Sequence, residues 1–260
     1  MSSITEAIVY DLEGKPAKKL TLPKVFQTSI RPDLIQRAFL ASFTARLQPQ
    51  GRDVEAGMRT TAESWGVGYG VARVPRVKGT SRAALAPMTV GGRRAHPPRV
   101  EKVLVERINV KEKRLAIASA IAATANKELV KARGHRFDDS LSFPLIVVDD
   151  VEAISTAIEA KKFLVRLGLW SDVERAKNGI KIKAGRGKMR GRKYREPKSL
   201  LLVLGEDRGA RKAFRNFPGV DVALARTLSI KHLAPGGVPG RLTLYTETAL
   251  AKLISERRFE

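Results

Sequence analysis

The sequence predicts an α/β fold: a mostly parallel sheet with helices on both faces, from which a long internal extended basic loop departs. Three observations lead there. Short apolar runs recur at 145–148 (LIVV), 200–204 (LLLVL), 220–225 (VDVALA) and 242–245 (LTLY), the composition of strands covered on both faces. Helix-like segments separate these runs, and strand–helix alternation favours parallel pairing through crossovers. Positive charge, finally, gathers in two glycine-rich windows that lack the periodicity of a core element.

In chain order, residues 6–10 read as a short strand. A helix starts from Arg31-Pro32-Asp33, because proline suits a first turn and aspartate favours the positive end. Ile35, Ala38, Phe39 and Ser42 would line one face of it. Asn109 is expected to cap a second helix, with Glu112 closing a capping box. Leu115, Ala118, Ala122, Ala125 and Leu129 repeat at helical spacing, widened by Ile117 and Ile121, and the alanines imply close approach of a neighbour. His135 would mark a helix end. Asp149-Asp150 read as caps leading into a helix that carries Ile154, Ala157, Ile158 and Leu164. Trp170 is expected in the core. Gly205-Glu206-Asp207 precede a basic helix to about Asn216, and Thr246 can cap a last helix ending near Ser255.

With 260 residues and 43% hydrophobic side chains, the chain can bury one sizeable core, read here as a single α/β domain over 1–260. Aromatics at 6% are thin for a protein living on stacked bases. Lys and Arg total 49 against 26 acids, a net charge of +23 that calls for a polyanion, nucleic acid in preference to an acidic membrane surface. No apolar run is long enough to span a bilayer, and MSSITEAIVYDLEG has no basic-then-apolar secretory pattern. Without cysteine there is no disulfide, no thiolate zinc site and no thiol catalysis.

Residues 64–100 hold seven bases and no acid, and residues 175–198 hold eleven bases and one acid, so +17 of the net +23 lies in these two windows. The first contains Arg73, Arg76, Lys78, Arg82, Arg93, Arg94 and Arg99 among six glycines and four prolines. In the second, Arg186, Lys188, Arg190, Arg192, Lys193 and Arg195 nearly alternate. Arginine grips phosphates with a planar fork and stacks on bases, so these thirteen cations are candidate RNA contacts rather than a solvated face of mixed sign. Trp65 and Tyr69 could stack on bases or close a local cluster, and His96 in RRAHPPR could meet a phosphate or a base, or simply face solvent.

Catalytic signatures are missing. GVGYG at 66–70 lacks GxGxxG spacing, and GRGKMRG at 185–191 lacks the hydroxyl that a phosphate loop gives to magnesium. His96, His135 and His232 stand in no metal-ligand spacing. Asp138-Asp139 and Asp149-Asp150 are adjacent pairs, which cannot easily share a proton or a metal. The expectation is a protein with no catalytic residue, metal or cofactor. A free-standing RNA-binding regulator is the alternative to a scaffold.

Ordered motifs then narrow the reading: VYDLEG (9–14), LPKVF (22–26), IRPDLIQRAF (30–39), GRDVEAGMRTTAESWGVGYGVARVPRVKG (51–79), VGGRRAHPP (90–98), GRGKMRGRKYREPKSLL (185–201), NFPGVDV (216–222) and LAPGGVPGRLTLYTETAL (233–250). Along nearly its whole length the chain resembles the archaeal and eukaryotic branch of the ribosomal protein L4 family. The resemblance implies a cytoplasmic protein of the large ribosomal subunit that binds its 23S-type rRNA beside neighbouring ribosomal proteins. It also implies an internal loop, here about 45–105, whose tip, here Trp65 to Arg82, reaches the polypeptide exit tunnel and the nascent polypeptide. Residues 175–198 would be a second RNA-contacting segment. Tyr69 departs from the family, whose members often carry a base at that point.

Overall fold

The computed structural model describes residues 6–255, so the first five residues of the N-terminal stretch lie outside it. The chain divides into two units, one made of the described residues up to Phe43 and from Glu106 onward, the other of Thr44–Val105.

In the first unit, β1 (Glu6–Tyr10) turns back into β2 (Pro16–Thr21), and α1 (Pro32–Thr44) follows. After the second unit come α2 (Val110–Thr124), α3 (Lys127–Ala132), β3 (Leu145–Val147), α4 (Ala157–Arg166) and α5 (Trp170–Asn178). A small ribbon, β4 (Lys181–Ile182) and β5 (Tyr194–Arg195), precedes β6 (Leu201–Leu204), α6 (Ala210–Arg215), β7 (Asp221–Leu224), α7 (Ile230–Leu233), β8 (Thr243–Thr246) and α8 (Glu247–Ser255). The main sheet runs β2-β1-β3-β8-β6-β7, parallel throughout except for the antiparallel edge strand β2.

Strand alternation divides the apolar side chains between two cores. Val9, Ile146, Leu201, Val203 and Tyr245 face α1, α2, α7 and α8, while Tyr10, Leu145, Val147, Leu202 and Leu244 face α3, α4, α5 and α6. That is why the central strands read as continuous apolar runs. The predicted α/β class and two-sided helix cover hold.

Several local expectations need correction. The helix after Asn109 stops at Thr124 instead of running to Leu129, and Asn126 starts a separate helix by accepting from the Glu128 and Leu129 amides. Asn109 makes no side-chain cap, and Leu115 is exposed. Residues 116–124 are buried on every side, so the helix has no polar face for periodicity to report. Its alanines do permit close packing, and Ser119 accepts the Arg31 amide. Asp149 caps no helix of its own: its carboxylate accepts from the Thr248 amide in the first turn of α8, where Thr246 accepts from Ala249 as predicted. Ile158 is exposed, and Trp170 is only partly buried against Phe217. The β2 strand and the β4–β5 ribbon were not anticipated, since PAKKLT and KI/YR are short, exposed and polar.

In the second unit, turns and two antiparallel bridges, Glu63↔Arg76 and Arg76↔Ala83, do the work of secondary structure. Ala62 is the one buried apolar residue among Thr44–Val105. Gly57 and Gly92 let the backbone pack on itself, because a Cβ on Gly57 would lie 2.5 Å from the Gly92 carbonyl oxygen. Gly66, Gly68 and Gly70 take φ of +77°, +96° and +68° with open space where a Cβ would stand, so this stretch turns repeatedly where L side chains would be strained by the backbone alone.

Candidate nucleic-acid interface

The second window is a presented ribbon. β4 pairs with β5 in antiparallel register, and between them Arg186–Arg190 wind a tight turn that ends at Gly191, φ +77°. Arg186, Lys188, Arg190, Arg192, Lys193 and Arg195 are all exposed, and among the described residues none forms an ion pair. Lys193 stands 5.4 Å from the Tyr194 ring centre. The flanks differ: Arg175 bonds Asp172 at 2.8 Å and Lys198 bonds Asp221 at 2.8 Å. Cations at the ends of the window anchor it to the body, and Arg186 to Arg195 in the middle form no ion pair among the described residues.

The first window splits in the same way. Arg76 is used inside the unit: its guanidinium donates to the Ser81 carbonyl at 2.6 Å and lies 5.6 Å from the Trp65 ring centre. Lys78 reaches Glu63 at 3.4 Å, an exposed pair of small energetic value. Arg73, Arg82, Arg93, Arg94 and Arg99 are exposed and form no ion pair among the described residues. Trp65 and Tyr69 pack ring to ring at 6.0 Å, yet 42% and 66% of each residue stays exposed. His96 is exposed too, and with Arg94, Arg99, Leu47, Gln48 and Pro97 it lines a groove of about 720 Å³.

The body behaves in the opposite manner, holding its buried charged side chains in hydrogen bonds from within the unit. Asp172 is fully buried and accepts from His135 Nδ1 (3.0 Å), the Arg136 amide (2.9 Å), Arg175 Nε (2.8 Å) and the Ser199 hydroxyl (2.7 Å). Burial alone would raise its pKa, but the His135 and Arg175 hydrogen bonds outweigh burial and hold the carboxyl well below the usual range. Burial lowers the pKa of His135, against the pull of Asp172, whose carboxylate accepts at Nδ1. Arg241 is also buried, with its guanidinium on the carbonyls of Ser199, His232 and Leu200 and on the Asp221 carboxylate. Little in the local sequence signals Asp172 or Arg241, because, apart from Arg175 three residues on, their partners lie 9 to 42 residues away. His135 thus closes a buried knot, not just a helix end. Its hydroxyl-bearing neighbour Ser199 bonds Asp172 and not the imidazole, so the group contains no nucleophile–base pair.

An α/β body with internally matched polar groups and two exposed arginine-rich windows defines a basic scaffold protein. The chain belongs to the ribosomal protein L4/L1 family, whose model matches residues 20–256. It is 56% identical over 255 residues to the large ribosomal subunit protein uL4 of Methanocaldococcus jannaschii, covering 98% of this chain and 100% of that one. The uL4 proteins of Saccharolobus islandicus strain M.14.25 and Saccharolobus solfataricus are each 52% identical, over 96% of this chain and 94% and 93% of theirs. Membership in this family makes the chain a structural protein and not an enzyme. No helix of the described residues is long and apolar enough to cross a membrane.

Proposed function

We propose that this chain is a structural constituent of the large ribosomal subunit that binds the subunit's rRNA through residues 64–100 and 175–198, next to neighbouring ribosomal proteins. The carrying observation is the set of exposed arginines and lysines in those windows that have no carboxylate partner among the described residues. Such cations release counterions when they meet phosphates, and their forks favour shaped backbone contacts over loose attraction. Residues 45–105 act as the arm that enters the RNA. Their tip, from Trp65 to Arg82, contributes to the wall of the polypeptide exit tunnel and meets the nascent polypeptide, with Trp65 and Tyr69 as its aromatic contacts. Within this reading Arg73, Arg82, Arg93, Arg94, His96, Arg99 and the six cations of the ribbon touch RNA. Arg76 and Lys78 act mainly by shaping the arm.

Salt-titrated binding of the full chain to large-subunit rRNA tests it. The double replacement Arg190→Ala/Arg192→Ala should weaken binding at least about tenfold and lower the log–log salt slope by about one per lost phosphate contact. An unchanged slope would remove the ribbon from the interface.

A further inference from the structure

Parallel sheets open a crevice where neighbouring strands send their following helices to opposite faces, and ligands of α/β proteins bind there, outside the carboxyl ends of the strands. This sheet has such a place. After β3 and β6 the chain leaves to the face packed by α4 and α6, while after β8, which lies between them, it leaves to the face packed by α8. Four donors converge at that point: the backbone amides of Gly205 and Glu206 just beyond β6, the Thr246 hydroxyl at the end of β8, and the Thr248 hydroxyl in α8. Gly205 is required there, since a Cβ on it would stand 2.2 Å from the Thr248 hydroxyl oxygen.

The donors are already satisfied from inside the chain. Glu152, 1% exposed, accepts at Oε1 from the Gly205 amide (2.7 Å), Thr246 (2.7 Å) and Thr248 (2.9 Å), and at Oε2 from the Glu206 amide (3.2 Å). No lysine, arginine or histidine pairs with it among the described residues. A buried carboxylate held only by neutral donors has the coordination of a bound anion, not of an ion pair. Nothing in the local sequence marks it, because its donors lie 53 to 96 residues away.

We propose that this crevice is an oxyanion-binding site whose resident ligand is the chain's own Glu152 carboxylate. The ligand class is a small carboxylate monoanion. Asp149 also accepts from Thr248, from its amide at 2.8 Å and its hydroxyl at 3.0 Å, so a second negative charge already borders the site and opposes a phosphate dianion. The crevice, where an α/β sheet ordinarily takes a ligand, is closed here by a tethered occupant.

Chemical rescue tests this in the full chain. Glu152→Ala should lower Tm by roughly 5 °C or more, by taking the carboxylate from the Thr246 hydroxyl and the Glu206 amide and leaving the Gly205 amide and the Thr248 hydroxyl with only Thr246 and Asp149 as acceptors. Sodium formate should restore most of the loss, beyond its effect on the wild type, and chloride at equal ionic strength should not. The Gly205 and Glu206 amide resonances should move with formate. Glu152→Gln fills the crevice while turning an NH2 toward donors, so it should also lose stability but gain nothing from formate. Equal effects of formate and chloride on the Ala variant, or equal formate rescue of the Gln variant, would overturn the assignment. Phosphate outperforming formate would overturn the monoanion class. Should Glu152→Ala fail to fold, refolding in formate against chloride gives the same discrimination: formate-dependent recovery supports the site, and none sinks it.

Discussion

The two units of this chain solve the problem of positive charge in opposite ways. The α/β body buries dozens of apolar side chains and holds its buried charges in hydrogen bonds, with counter-charges at Asp172 and Arg241 and neutral donors at Glu152. Thr44–Val105 has one buried apolar residue, Ala62, and is shaped by turns, glycines and the backbone bridges of Arg76. Fully burying a Leu-sized side chain contributes about 1.5–3 kcal/mol, and ordering each backbone residue costs about 1–2 kcal/mol. By that measure the body has the burial to stabilise itself, and Thr44–Val105 has far less to offset its ordering cost. The difference teaches that Thr44–Val105 is specified by its charge and backbone turns, not by a core.

Limited proteolysis would break or confirm this contrast with the largest signal. In the free chain, cuts should fall within 44–105 at least about ten times faster than within the body, since cleavage follows local opening. Large-subunit rRNA should suppress them. Resistance of 44–105 without RNA would end the idea of an arm stabilised from outside.

A smaller effect compares one charge in each kind of setting. Asp172→Ala leaves His135 and Arg175 without their buried partner and should cost about 3 kcal/mol in denaturant unfolding. Arg190→Ala removes an exposed, unpaired cation and should change stability by no more than about 0.5 kcal/mol while weakening RNA binding. If both variants unfolded alike, the division between matched and presented charge would be wrong.

The smallest effect is a pH dependence confined to the body. His135 and Asp172 both have lowered folded pKa values, so the unfolded chain binds protons more readily. Stability from His135 is present above its unfolded value of about 6.5 and is lost as pH falls below it. Asp172 adds a loss below about 4. Calorimetric Tm should therefore drift down by a few degrees from neutral pH to about pH 5. His135→Gln should flatten that drift, leaving the part due to His232, whose pKa burial also lowers.

Legibility followed the range of the interactions. The central strands could be read because burial on both faces makes each a run of apolar residues, and the two windows could be read because charge is countable. The break at Asn126 could not, since an all-round buried helix and its successor share one apolar pattern. Asp149 was rightly seen as a cap and assigned to the wrong helix, because its recipient, Thr248, is 99 residues away.

The sequence alone thus determined the class of fold, the location of the charge and the family, which rest on composition, period and ordered motifs. Tertiary structure decided what the polar side chains do: that Arg76 bonds the Ser81 carbonyl, that Asp172 and Arg241 are buried knots, and that Glu152 fills the sheet's crevice. Apolar burial is a local average that a sequence displays position by position. A hydrogen bond depends on the meeting of two particular atoms, and where the chain brings them together is known only after it has folded.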